Sequence, residues 1–342
     1  MKTITFILIV HALVLSLNRQ PGRADQDIYV ISCLDEKLPS NTNIVYTPTM
    51  RAAWTVLKDG IVGEDIVLTE SLSLTASLNR NPFKVPENEE WLAMAGFVEK
   101  GILEEINREM KNRFGINNTG LDKYTDDEGI VCYSYLHKKI GFRNTFETLK
   151  WDFPGYDGSK PVECFGVSKG SEPGKEAMRE QVRIHDYMHR DDFIVRILPR
   201  DSSKEIILAK IPGSATLTGM IREIEDRITL GGESKLSETD ELIIPKIKFD
   251  VNHSYDECIG LYLKNEGFED YFFARMAQQI GLSLDESGAE AIATGEIVLK
   301  KGPGSRLYIF DKPFLVIIRD TNSPEPDMVV WVDNKGLLRA AE

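Results

Sequence analysis

A short basic segment near the C-terminus has residue types and a spacing that could take part in chemistry. Lys300, Lys301 and Gly302 open the segment, Pro303 lies at its centre, and Arg306 closes it. Glycine and proline favour exposed turns, and exposed loops often carry functional residues. Because proteases of trypsin-like specificity cut after lysine or arginine, the segment could act as bait for such an enzyme.

The residues immediately ahead of this segment alternate between two kinds of side chain. Every second residue is apolar, and the first four of these are small: Ala289, Ala291, Ala293, Gly295, Ile297 and Leu299. The intervening set begins with Glu290 and is mostly polar. A period of two puts the two sets on opposite faces of an extended chain, so the pattern predicts a strand with one apolar face. Small side chains on that face would let the strand insert beside others without overpacking the core beneath it.

A second possible chemistry is that of a serine hydrolase. Gly166, Ser168 and Gly170 fit the G-x-S-x-G pattern of a nucleophile elbow and follow a predicted strand. Asp240 and His253 occur later in the chain and could complete a triad. A proline and a glycine come soon after the motif, however, so no helix is expected where an elbow needs one. A strand followed by a polar turn explains the same residues.

Two histidines four residues apart could supply metal ligands. His185 and His189 would share one face if their segment were a helix. The pattern lacks the glutamate of H-E-x-x-H, and a solvated turn ahead of the strand at Phe193 explains it more simply. We expect no metal site and no cofactor.

The chain as a whole has the composition of a globular protein preceded by a secretory leader. It has 342 residues, of which 42% are hydrophobic and 28% are charged. After Lys2, residues 4–17 are nearly all apolar, a run too short to span a bilayer, and Ala24 fits a small-residue cleavage site. We therefore expect residues 1–24 to be a signal peptide and residues 25–342 to form a secreted, extracellular protein.

The net charge limits the classes of partner. The formal charge is −13, and loss of Lys2, Arg19 and Arg23 with the leader, with no acidic residue lost, would make it −16. A protein this acidic repels nucleic acids and anionic membranes, so neither is an expected partner.

The cysteines and the glycosylation motifs fit an extracellular protein but leave the pairing open. The chain has four cysteines: Cys33, Cys132, Cys164 and Cys258. None forms a C-x-x-C pair, so a zinc ribbon is not expected. The cysteines could form up to two disulfides or remain free and buried. Asn117 and Asn252 each begin a sequon for N-glycosylation.

Hydrophobic periodicity predicts a mixture of helices and strands. Helices are expected over residues 27–38, 49–57, 91–110, 217–228 and 255–264, the third being closed by Gly115. Strands are expected over residues 43–46, 130–135, 162–167, 193–198, 205–208, 276–284, 308–310, 314–318 and 328–332. The elements follow no regular βαβ order, which favours the α+β class.

The residues around the basic segment resemble a known family. Residues 308–318 resemble the signature of the serpins, the centre of which is here Phe310, Asp311, Lys312, Pro313 and Phe314. Residues 285–291 resemble the serpin hinge, and the distance from Glu286 to Phe310 matches the usual reactive-loop span. Residues 43–48 resemble the strand-to-helix entry of the family, and the resemblance extends over most of residues 27–334.

The resemblance implies a single α+β domain over residues 25–342. It would have three β-sheets, surrounding helices and an exposed reactive loop over about residues 286–310. The residues that match the family hinge are Glu286, Gly288, Ala289, Glu290, Ala291, Ala293 and Gly295.

The family spacing also suggests where a protease would cut. It puts the scissile bond between Gly302 and Pro303, but a proline on the leaving side makes a poor substrate. The bond between Lys301 and Gly302 is therefore the predicted reactive bond, with Lys300 and then Arg306 as alternatives.

The function that the resemblance implies is inhibition rather than catalysis. A serpin of this kind is a suicide substrate for trypsin-like serine proteases, and is cleaved in its loop and then inserts that loop into a sheet. We expect a secreted monomer. The alternatives are a non-inhibitory carrier or binding protein with the same fold, and a secreted hydrolase that uses Ser168. The chain is tens of residues shorter than the family between Gly60 and Ile106, so the heparin-binding helix of some members is missing and heparin is not expected to bind.

Overall fold

Most of the apolar segments form strands, and the fold is built around them. The computed structural model describes residues 28–121, 129–151, 161–288 and 306–341. Its strands are β1 Ile28–Ile31, β2 Asn43–Tyr46, β3 Trp91–Phe97, β4 Ile130–Leu136, β5 Glu147–Trp151, β6 Val162–Val167, β7 Val182–His189, β8 Asp192–Ile197, β9 Lys204–Lys210, β10 Glu241–Pro245, β11 Ile247–Ser254, β12 Ala277–Leu284, β13 Leu307–Ile309, β14 Phe314–Asp320 and β15 Met328–Val332. Its α-helices are α1 Thr49–Leu57, α2 Ser73–Arg80, α3 Ile102–Phe114, α4 Lys175–Arg179 and α5 Leu217–Leu230.

A seven-stranded sheet forms the centre of the molecule, in the order β1-β2-β15-β14-β9-β8-β7. Only the pair β1 and β2 is parallel. Its middle strands are buried on both faces. Val316 of β14 lies in the main core, whereas its neighbour Ile317 packs in a second core with Leu217 and Ile224 of α5. Burial on both faces explains why these strands are continuous apolar runs rather than alternating ones.

A four-stranded sheet, in the order β13-β10-β6-β5, covers the other side of the main core. Phe165 of β6 and Leu242 of β10 enter that core from this sheet. Here β10 pairs with β13 in parallel and with β6 in antiparallel orientation. The strand that ends the loop region, β13, is therefore built into this sheet.

The remaining strands form two antiparallel pairs, β3 with β4 and β11 with β12. Within the described residues no ladder joins β4 to β12. The described chain therefore has four sheets, whereas three were expected. The mixture of sheets and surrounding helices is the expected α+β class.

Three of the expected helices are wrong in whole or in part. Residues 27–38 contain the strand β1, because Val30 and Ile31 are buried beside β2 rather than along one helical face. Residues 91–110 divide into β3 and α3 at Gly101, which adopts a left-handed φ of 82°. Gly115 does close α3. Residues 255–264 contain only the 3₁₀ turn Asp256–Cys258.

The helices at 49–57 and 217–228 and all nine expected strands are confirmed, within one or two residues at most ends. The first of these helices continues as a π-helical turn, Lys58–Val62, that ends at Gly63. Apolar helical faces and β-branched runs were the clearest signals in the sequence, so these elements were the easiest to predict.

Candidate functional site

The described chain enters the loop region through a tight turn after β12. Asp285 N donates to Gly288 O (3.0 Å) and Gly288 N donates to Asp285 O (3.2 Å), so an antiparallel bridge closes the turn at residues 285–288. Gly288 has a φ of 110°, and a Cβ there would lie 2.2 Å from Ile140 O. Only glycine fits both the backbone angle and the close approach.

Gly288 also lies against the segment that follows β4. It forms a second antiparallel bridge, to Gly141. Two backbone bonds reinforce the contact, from Phe142 N to Ser287 O (3.0 Å) and from Phe146 N to Glu286 O (2.9 Å). The first residue after the turn is therefore bridged on one side to the extension of β12 and on the other to the extension of β4.

A residue of this turn, Glu286, forms a buried ion pair. Lys246 Nζ lies 2.6 Å from Glu286 Oε2, and both side chains are buried. The same ammonium lies 3.5 Å from Glu163 Oε2 of β6. Removing one partner of a buried pair leaves an uncompensated charge, so such a contact strongly favours one arrangement. The pair holds Glu286, a residue of the predicted hinge, beside the start of β11.

The described chain resumes at Arg306, which is held by its backbone and its side chain. Arg306 N donates to Asp240 Oδ1 (3.1 Å), and Glu241 N donates to Arg306 O (3.1 Å). The guanidinium carbon lies 5.4 Å from the centre of the Tyr187 ring. Arg306 therefore belongs to the start of β13 and its sheet.

The signature residues follow β13, and their aromatic side chains lie in the core. Phe310 and Phe314 are fully buried, with ring centroids 5.1 Å apart, and Phe310 lies 4.9 Å from Phe193 of β8. Such aromatic contacts add to the free energy that burial alone provides.

A network of charges surrounds the buried Asp311. Lys210 Nζ lies 2.5 Å from Asp311 Oδ1 and 2.8 Å from Asp191 Oδ1. Arg190 and Lys312 each complete an ion pair at 2.6 Å, with Asp311 and Asp191 respectively. Although burial opposes it, hydrogen bonds and attraction from Lys210 and Lys312 lower the pKa of Asp191 to about 2. The sequence did not predict Lys210 as a site residue. The one sign of it was a lysine at the end of the apolar strand β9.

Sequence comparison finds no relative, whereas structural comparison does. No protein-family model and no curated protein matches the sequence. A thyroxine-binding globulin in complex with thyroxine superposes with a TM-score of 0.53 at 12% identity, over 86% of this chain and 93% of its own. Human thyroxine-binding globulin with its ligand gives 0.51 at 12% identity, over 86% and 92%. A tumour suppressing serpin gives 0.51 at 11% identity, over 85% and 92%.

The chain has the serpin fold. Identities this low establish the fold alone, and the relatives found include both a hormone-binding protein and a tumour suppressing protein. The fold therefore does not by itself assign an activity. The turn at residues 285–288 and the signature residues 310–314 are described parts of the chain on either side of the predicted reactive loop.

Part of the predicted site lies outside the described residues. This applies to the hinge residues Ala289, Glu290, Ala291, Ala293 and Gly295, to the predicted reactive bond between Lys301 and Gly302, and to Lys300. The structure places Glu286 and Gly288 together at the hinge side, and Arg306 on the far side with Phe310, Asp311, Lys312, Pro313 and Phe314.

Ser168, the residue of the alternative hydrolase, is buried in a polar cluster of this serpin fold. Its Oγ donates to Glu147 Oε2 (2.7 Å) and accepts from Lys175 Nζ (2.7 Å). Asp240 is engaged with Arg306, and the His253 ring packs on Tyr255 with centroids 4.5 Å apart. The three residues of the suggested triad therefore have separate partners.

The two suggested metal ligands lie on β7, not on a helix. His185 is buried near Glu233. Burial is the main cause that lowers the pKa of its imidazole, and the positive charge of Arg196 lowers it further. His189 is exposed and accepts a hydrogen bond from Asp191 N. Within the described parts of the chain no group of three potential ligands could hold a metal ion.

The four cysteines are free, and burial raises the pKa of each thiol: Cys33, Cys132, Cys164 and Cys258. The sequon residues Asn117 and Asn252 are both exposed. Among the helices described here, none is both long enough and apolar enough to cross a bilayer.

The serpin fold also contains a cavity beside the signature. Its volume is about 510 Å³, and its apolar wall includes Ile211, Met220, Pro313 and Trp331. Polar residues, among them Ser40, also line it. Its volume lies in the range of small-molecule sites, and it is partly open to solvent.

Proposed function

We propose that the protein is a secreted inhibitor of trypsin-like serine proteases that acts as a suicide substrate. The observation that carries this proposal is the position of Gly288. It is bridged to Asp285 on one side and to Gly141 on the other. The next residues of the chain could therefore extend this arrangement as a new strand between β12 and β4.

The sequence after Gly288 suits such a strand. Ala289, Ala291, Ala293 and Gly295 would occupy one face, where their small size limits overpacking as the strand enters. Each added residue would contribute main-chain hydrogen bonds to strand edges that have no ladder partner in the described chain. The free energy of strand addition would drive the transition.

The proposed reaction begins with attack of the protease serine on the carbonyl carbon of Lys301. The serine Oγ forms an ester, the Lys301–Gly302 peptide bond breaks, and the new amino group of Gly302 takes the proton. Insertion would then carry the ester away with the inserted strand. Arg306 is a poorer site than Lys301 because its N–H is hydrogen-bonded to the Asp240 side chain and its carbonyl accepts from Glu241 N of β10.

The test is incubation of the mature protein with trypsin, followed by a denaturing gel. We expect a covalent complex, and we expect Lys301→Ala to reduce it strongly while the matched change Arg306→Ala leaves it. Cleavage with a rise in thermal stability but no complex would support insertion without trapping. Cleavage with neither complex nor stabilisation would contradict the proposal.

The setting we propose follows from the acidic charge and the expected leader. The protein would be extracellular, monomeric and not an enzyme, glycosylated at Asn117 and Asn252 where the host permits. Its net charge of −13 argues against nucleic acid, anionic membranes and heparin as partners. Mass spectrometry of the secreted protein would show the N-terminus and the glycans.

A second candidate function is that of a carrier, and the 510 Å³ cavity favours it. One protein with this fold is seen in complex with thyroxine. Thyroxine can serve as the probe here, because Trp331 lines the cavity and its fluorescence should change on binding. Saturable quenching that is lost in Ser40→Phe, which places a bulky ring on the cavity lining, supports a carrier. Equal quenching in both proteins would contradict it.

A further inference from the structure

Several exposed apolar side chains lie on segments that are bridged to one another. Seven large apolar side chains are exposed in the described chain, and four of them belong to three such segments. We call these four the apolar patch: Val67 (50% exposed), Ile259 (39%), Tyr262 (45%) and Phe272 (50%).

Three short extended segments hold the apolar patch in place. Leu68 bridges Leu263, and both side chains are buried in the core beneath. Neighbouring residues in an extended chain face opposite ways, so Val67 and Tyr262 face outward. Tyr262 in turn bridges Phe272, and their ring centroids lie 5.2 Å apart.

Backbone hydrogen bonds tie the same three segments together. Lys264 N donates to Val67 O (2.8 Å) and Thr69 N donates to Tyr262 O (2.9 Å). Gly260 N, next to Ile259, donates to Phe273 O (2.9 Å). The apolar patch is therefore a pre-ordered surface, and a partner would not have to order it on binding.

The segments that carry the apolar patch are acidic. Six exposed acidic residues belong to these segments and the turns between them: Glu70, Asp256, Glu257, Glu266, Glu269 and Asp270. Lys264 and Arg275 are the exposed basic residues of these segments. We call the six carboxylates the rim, and they outnumber the two basic residues.

The other exposed apolar side chains do not form such a surface. Tyr29 lies on β1, Met188 near the end of β7 and Leu230 at the end of α5. Scattered apolar residues are normal on protein surfaces, whereas clustered ones rimmed by polar groups mark interaction sites.

We propose that the apolar patch docks a protein partner whose binding segment is basic and carries apolar side chains. The charge of the rim selects this occupant. Anionic lipid surfaces and a second acidic copy of this chain would be repelled by the carboxylates, whereas lysine or arginine side chains would pair with them. The proposal does not depend on protease inhibition, because no residue of the hinge or signature takes part.

The test uses a short synthetic peptide of alternating leucine and lysine as the probe, followed by fluorescence anisotropy. We expect the double change Tyr262→Ser and Phe272→Ser to weaken binding at least about tenfold. We expect a similar loss for Glu269→Lys with Asp270→Lys. The matched controls are Leu230→Ser, which removes an exposed apolar residue elsewhere, and Glu104→Lys with Glu105→Lys on α3. Thermal unfolding of every variant verifies that it is folded.

Several results would overturn the proposal. The proposal is wrong if a leucine–glutamate peptide binds as tightly as the probe, or if the control variants lose as much affinity as the patch variants. Binding to phosphatidylcholine vesicles that depends on Tyr262 and Phe272 would assign the surface to lipid instead. A dimer that is abolished by the same two substitutions would assign it to a second copy of the chain.

Discussion

The two described ends of the loop region, residues 285–288 and residues 306–314, are held by different kinds of contact. The first end depends on a tight turn, a few backbone hydrogen bonds and the ion pair of Glu286 with Lys246. The second end is a strand of the four-stranded sheet followed by the buried rings of Phe310 and Phe314. Polar contacts can be exchanged without exposing a core, whereas withdrawing two phenyl rings opens a cavity.

This contrast suits the proposed insertion, which would begin at the end held by polar contacts. A strand added after Gly288, as proposed, would change local hydrogen bonding at its start. Movement at Phe310 would disturb the core shared by both large sheets. The contrast predicts that deleting a buried ring at the signature end costs more stability than removing a polar contact at the hinge end.

The largest effect is expected at the signature end. Phe310→Ala should reduce the free energy of unfolding by about 3–5 kcal/mol, because it deletes a fully buried ring. Urea denaturation measures this. Phe272→Ala, the same chemical change at an exposed site, should cost less than about 1 kcal/mol. Equal costs for the two variants would contradict the proposed role of the signature.

A smaller effect is expected for the hinge ion pair. Glu286→Ala should cost about 2–3 kcal/mol, less than an isolated buried pair, because Lys246 keeps Glu163 as a second partner. A double-mutant cycle with Lys246→Met isolates the coupling between the two residues. If the losses in the two single variants add up to the loss in the double variant, the two residues are not coupled and the ion pair itself contributes no stability.

The turn itself provides the next test. Gly288→Ala should cost about 1–3 kcal/mol, because its Cβ would overlap Ile140 O and its φ is unfavourable for alanine. Gly232→Ala is the matched control, since nothing lies within 4 Å of a Cβ at that position. Thermal unfolding of the two variants should therefore differ, and unchanged stability of Gly288→Ala would contradict the tight turn.

The smallest effect is a pH dependence at the signature end. The pKa of Asp191 is lowered from its usual 3.8 to about 2, so its contacts stabilise the fold above pH 4 and are lost as the pH falls toward 2. Asp191→Asn should therefore cost on the order of 1 kcal/mol at pH 7, and the difference from the parent should disappear near pH 2. A difference that is constant between pH 2 and 7 would exclude this account.

Much of the fold could be predicted because its strands are long apolar runs. Residues 314–318 and 328–332 pair with each other at the centre of the largest sheet, where both faces are buried. The helix at residues 217–228 was equally clear because one apolar face packs on that sheet.

The failures have identifiable causes. Trp91, Met94 and Val98 happen to recur at helical spacing, yet the first two lie in β3, paired with β4. The signal that was overlooked was glycine: Gly96 packs directly against Ile102, and Gly101 starts the new helix with a left-handed φ. The parallel pairing of β1 depends on a distant strand contact that no local pattern contains.

The candidate site was predictable only where it is local in sequence. The hinge and signature were predicted from the residues next to one another in the sequence, and their roles stay predictions. Their partners Lys246 and Lys210 could not be predicted in this way, because they are brought to Glu286 and Asp311 by tertiary packing.

The unpaired state of all four cysteines has a practical consequence for obtaining the protein. A fold with no cross-links to make needs no oxidant or isomerase, so the mature chain should reach its native state in a reducing bacterial cytosol. Since burial keeps each thiol protonated, alkylating reagents should modify them only slowly in the folded protein. Addition of dithiothreitol should leave the melting temperature unchanged.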